Sequence, residues 1–101
     1  MATGGKRDEI DAKLKAWERD LERLRVALGR APESVHAQYY PSFTEVYRAK
    51  EILRSRWEGI RGVYRPEPAA LHQFGEALSA MEAAWAAAQP MLADVMKQQA
   101  A

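Results

Sequence analysis

Cysteine is absent from the 101 residues. That excludes disulfide frameworks, thiolate metal sites and a cysteine nucleophile. Glycine is sparse, and none of it forms a phosphate-cradling loop; Gly4-Gly5 stands near the start of the chain. The hydroxyls Thr3, Ser34, Ser42, Thr44, Ser55 and Ser79 are scattered, and none stands in a Gly-x-Ser-x-Gly turn. Histidine occurs twice. Glu33 and His36 are three apart and His72 and Glu76 four apart, spacings that place two ligands on one helix face. Carboxylate-bridged metal bundles need a Glu-x-x-His pair on each of two helices plus two further glutamates. One such pair is present, so neither a metal nor another cofactor is expected. Long apolar runs are also missing. The longest uncharged stretch after Glu82 is Ala83 to Ala93, shorter than the about 20 residues a bilayer span needs. Met1 to Arg7 carries no apolar run behind its charges, so no secretory signal is expected. With no cysteine, the expected location is cytoplasmic.

What is present is a 4-3 apolar repeat, written three times. The first stripe is Ile10, Leu14, Trp17, Leu21, Leu24 and Leu28. The second is Tyr39, Phe43, Val46, Lys50, Leu53, Trp57, Ile60 and Tyr64. The third is Leu71, Phe74, Leu78, Met81, Trp85, Ala88, Leu92 and Val95. Only Lys50 breaks the rule. This periodicity predicts an all-α domain, an antiparallel three-helix bundle of coiled-coil character. The Lys50 stem is expected to cover apolar surface while its ammonium reaches water. A frame through Ala49 would remove the exception, and a register- or partner-specifying polar residue is the sharper alternative.

Punctuation divides the chain. Residues 1–5 are expected to be a disordered tail and 98–101 a frayed one. Helix 1 is predicted over about 6–29, with Gly29 as its C′ residue and Pro32 beyond. A short separate helix over 32–40 ends at Pro41. Ser42 and Glu45 form a possible capping box opening helix 2, predicted over about 42–63. The connector Arg65-Pro66-Glu67-Pro68 leads to helix 3 over about 68–97, with Pro90 as a kink or weak turn. Aligning the helices as antiparallel neighbours puts Trp17, Trp57 and Phe74 at one end. At the other end, Met91, Leu92, Val95 and Met96 overshoot toward Val35 and Tyr39. Those six residues are the expected partner surface, unless they cap the bundle internally.

Charge is segregated. Residues 1–65 hold 14 Lys and Arg against 10 acids, a net of +4; residues 66–101 hold Lys97 against four acids, a net of −3. On helix 2, Lys50, Arg54, Arg61 and Arg65 share a face near Tyr47 and Tyr64, an alternative surface for nucleic acid or an acidic partner. Glu51 and Glu58 interrupt it, and a pI near 8.1 is modest for a nucleic-acid binder.

Lys13-Leu14-Lys15-Ala16 and Glu82-Ala83-Ala84-Trp85 resemble the opening and closing helices of small bacterial coiled-coil domain proteins of unknown function. The resemblance covers most of the chain and implies packed helices with no transferable catalytic residue. Pro41 and the 65–68 connector depart from that family's long hairpin. Arg7-Asp8-Glu9-Ile10-Asp11 resembles the start of helical chorismate mutases, which would imply a small bundle enzyme; the later helices lack the matching basic array. Trp57-Glu58-Gly59 is similar to the central turn of type VII secretion hairpin proteins, but it stands inside a helix and no tyrosine follows Tyr64. The functional expectation is a non-catalytic interaction or scaffold protein that binds a protein partner or itself. A small-bundle enzyme or metal protein is the remote alternative, and no small-molecule substrate is indicated.

Overall fold

The three stripes become three helices. The computed structural model describes residues 2–100, with side chains from 7 to 97. α1 is Ala2–Arg30, α2 is Glu33–Ile60 and α3 is Pro68–Ala100. All three pairs of helices pack against one another, and no strand occurs among the described residues. The bundle is elongated, 49 × 26 × 17 Å, as a 33-residue helix rising about 1.5 Å per residue requires.

Side-chain pairs fix the helix directions. Asp11 bonds to Arg61 and Glu18 to Arg54, so α1 and α2 are antiparallel. Trp57 packs on Phe74 with ring centroids 5.3 Å apart, and Tyr39 bonds to Asp94, so α2 and α3 are antiparallel. Lys13 pairs with Glu82 at 3.0 Å, and Asp20 and Arg23 lie beside Leu92 and Met96; α1 and α3 therefore run the same way. Leu24, Leu28, Leu53, Met81 and Val95 are the most deeply enclosed large side chains.

The ends and breaks differ from the sequence reading. α1 is helical from Ala2, where a tail over 1–5 was expected; extending a formed helix costs little beside nucleating one. α3 continues to Ala100, through Lys97, Gln98 and Gln99, all good helix formers. Met1 and Ala101 lie outside the described residues. Gly29 is helical rather than left-handed; the α1 turn closes with the Ala31 amide donating to the Leu28 carbonyl at 3.2 Å. α2 ends at Ile60, sooner than expected.

The largest difference is at Pro41. No separate 32–40 helix exists, because α2 runs straight through the proline. Ser42 is consequently an interior residue, not a cap. The helix opens instead at Pro32, whose carbonyl accepts from the amides of Val35 and His36, both at 3.0 Å. An interior proline costs about 3 kcal/mol. Continuity keeps Val35 on the same buried face as Phe43 and Val46 and leaves Tyr39 half-buried against α3. Burying one such aliphatic side chain contributes about 1.5–3 kcal/mol, so packing on both sides offsets the break.

α3 is also rotated relative to its predicted stripe. Its enclosed residues are Ala77, Met81, Ala88, Met91 and Val95, while Leu78, Trp85 and Leu92 flank them and Leu71 is exposed. Two of the five are alanines, Ala77 and Ala88, small side chains that let neighbouring helices come close. Gly75, on the exposed face of α3, has open space where a Cβ would stand and ordinary helical φ. Gly75→Ala is therefore expected to stabilise the protein by about 0.5–1 kcal/mol, since alanine loses less backbone freedom on folding. Paired thermal melts check this, and a lower midpoint would contradict it.

Candidate functional site

The polar groups between α1 and α2 form a continuous seam. Glu18 accepts two hydrogen bonds from Arg54, through Nε and Nη2, each 2.5 Å. Arg54 also donates to Glu58 at 3.0 Å. Lys50 is 6% exposed; its ammonium lies 3.0 Å from Glu51, 4.0 Å from Glu18 and 4.4 Å from the centre of the Tyr47 ring. One heptad along α1, Asp11 accepts from the Trp57 indole N–H and from Arg61, both at 2.8 Å. No buried side-chain nitrogen or oxygen among the described residues lacks a partner.

This seam overturns one expectation and bears on one alternative. Lys50 does not reach out to water; its charge is enclosed and compensated. The helix 2 basic face is not a free surface either, since Lys50, Arg54 and Arg61 turn toward carboxylates, two of them supplied by α1. Arg65 lies beyond the helix, with its guanidinium 5.7 Å from the Tyr64 ring centre. Glu51 and Glu58 on helix 2 are only half of the acids that close this face; Glu18 and Asp11 on α1 supply the rest. The available signal was the heptad spacing of Asp11 and Glu18 beside the α1 stripe.

The carboxylates respond to their partners. The Arg54 fork holds Glu18 below its ordinary pKa, and the Trp57 donor, with Arg61, holds Asp11 below its own. A carboxylate whose folded pKa is depressed contributes stability above its unfolded value and loses it as pH falls through the folded one. Stability should thus be level near neutrality and decline once pH drops below the ordinary 4.5 of Glu18 and 3.8 of Asp11. Thermal melts from pH 7 to pH 3 test this, and Glu18→Gln should flatten part of the decline. An unchanged midpoint across that range would refute it.

The expected partner rim is largely used internally. Val35, Met91 and Val95 are buried in the core, and Tyr39 and Leu92 pack against it. The Tyr39 hydroxyl donates to Asp94, a bond that raises the tyrosine pKa. Met96 is the exposed member, beside Leu92, Asp20 and Arg23. Apolar side chains that outlast an ideal three-helix body are enclosed here because α2 extends unbroken to meet them.

The opposite end is the open one. A cleft of about 430 Å³ lies between the start of α1, the end of α2, the connector and the start of α3. Ile10, Trp57, Ile60 and Phe74 form its apolar wall, and Arg7 and Arg61 stand at it; among the described residues no carboxylate lines it. Val63, Tyr64 and Leu71 extend this apolar surface outward at 43%, 89% and 48% exposure. The cleft exists because α2 stops at Ile60. Tyr64 and Leu71, two stripe positions expected in the core, are thereby left on an irregular connector and on the first turn after it.

The remaining groups do not converge. His36 stacks on Tyr40 at 4.9 Å, while His72 lies 3.5 Å from Glu76 on the surface. Among the described residues no three His, Asp or Glu side chains are grouped to hold a metal ion, and no helix is long and apolar enough to cross a membrane. Comparison with protein families, curated proteins and solved structures finds no match to this chain.

Proposed function

We propose that this protein is a non-catalytic helical interaction module that docks a partner through the cleft at the α2–α3 connector. The observation that carries this reading is the joint exposure of Val63, Tyr64 and Leu71 on the edge of an apolar cavity. Contiguous exposed apolar surface is uncommon on monomers and marks interaction sites. Cavities of this volume fall within the range used for recognition. A cytoplasmic adaptor or assembly subunit fits the cysteine-free composition.

A nucleic-acid interface on α2 is less well supported, because three of its four proposed cations already bond to carboxylates. Site-specific photocrosslinking in cells tests the docking reading. A crosslinker at position 64 should give discrete adducts that Leu71→Glu abolishes, while one at Ile52, exposed on the outer face of α2, should not. Equal adducts from both positions, or adducts indifferent to Leu71→Glu, would sink the proposal.

A further inference from the structure

The charges around the cleft bear on what it binds. Among the described residues, its lining carries two guanidinium groups and no carboxylate. Arg61 is tied to Asp11 through one nitrogen. Arg7 forms no ion pair or hydrogen bond among the described residues, and Arg65 has only the Tyr64 ring beside it. An apolar wall with one unpaired cation on its lining, Arg7, and a second, Arg65, beside the Tyr64 ring at its edge is complementary to an apolar group that carries acids beside it. The exposed side chains of Val63, Tyr64 and Leu71 carry the apolar surface outward from the cleft.

We infer that the occupant is an acidic amphipathic segment of a partner protein. Its apolar side chains sit against Ile60, Leu71 and Phe74, and its carboxylates meet Arg7 and Arg65. This rests on the docking reading above and adds the chemistry of the partner. Helix-in-groove recognition of this kind uses apolar anchors at i, i+3, i+4 and i+7 with specificity set by flanking charge.

The probe is a synthetic peptide with leucine at those positions and glutamate elsewhere, titrated into the full-length protein at low salt with amide NMR detection. A second peptide replaces every glutamate by lysine. Shifts are expected to centre on Ile60, Leu71 and Phe74, with the glutamate peptide binding about tenfold more tightly. Arg7→Glu should erase that preference, whereas Leu71→Glu should weaken both peptides. Both residues are exposed, so melting curves should match the parent protein. Equal binding of the two peptides would overturn the acidic-partner inference and leave the docking reading standing. Failure of both peptides to move cleft residues would remove both readings. Stronger perturbation of the cleft by a short DNA duplex, or a stable homodimer in light scattering whose dissociation by Leu71→Glu locates it at the cleft, would also overturn the inference.

Discussion

Glu18→Ala is expected to lower the unfolding free energy by about 2–3 kcal/mol, while Lys50→Met leaves it within about 1 kcal/mol of the parent or raises it. The two variants remove opposite sides of one interaction, yet they leave different remnants. Without Glu18, Arg54 loses both bonds of its fork and the enclosed Lys50 ammonium keeps Glu51 as its one carboxylate, beside the Tyr47 ring. Without Lys50, Glu18 still has Arg54, and methionine fills the stem's volume with no charge to desolvate. The Glu18 figure lies below that for a fully buried pair because its side chain is 27% exposed. Guanidinium denaturation of the two variants decides the matter. A larger loss for Lys50→Met would mean that the seam is valuable for the lysine charge itself.

Leu53→Ala should be the most damaging single truncation of α2, at about 3–5 kcal/mol. Leu53 is 0% exposed in the middle of the buried face of α2, so its removal leaves a cavity the backbone cannot close. For a domain of this size the loss corresponds to a fall in melting temperature on the order of 20 °C. Leu71→Ala, in the third stripe, should change stability by less than about 0.5 kcal/mol, because Leu71 is 48% exposed. Calorimetry on both variants separates core stripe from cleft edge. Comparable losses would place Leu71 in the core and undo the reading of the cleft.

Apolar spacing was enough to foresee the three helices, since Leu14 to Leu28 or Val46 to Ile60 can bury together only at the helical period. The Trp57–Phe74 pairing was likewise legible from antiparallel alignment. Local punctuation misled where tertiary packing outweighed it. Pro41 reads as a break in isolation, but Val35 and Phe43 need the same face of one helix. Alanine carries little weight in a hydropathy pattern, so the burial of Ala77 and Ala88 left hardly any trace. The cleft was hidden for the converse reason. Tyr64 and Leu71 continue their stripes in perfect phase, and only the position of the helix end shows that they have nothing to pack against.

The seam between α1 and α2 has a consequence for sliding. Apolar stripes with a seven-residue repeat look much the same after a shift of one heptad, so they discriminate poorly between aligned and displaced helices. The polar pairs do not repeat in that way. Moved one heptad in one direction, α1 would bring Arg25 to the level of Lys50 and Arg54, three cations without the Glu18 carboxylate. Moved the other way, Asp11 would take Glu18's place, Gly4 would stand at the level of Trp57 and Arg61, and the indole N–H would lose its acceptor. Both displaced arrangements strand charge or a buried donor at a cost of several kcal/mol. The seam therefore acts as a vernier: it adds little net stability to the correct bundle, but it makes the near-identical wrong ones expensive.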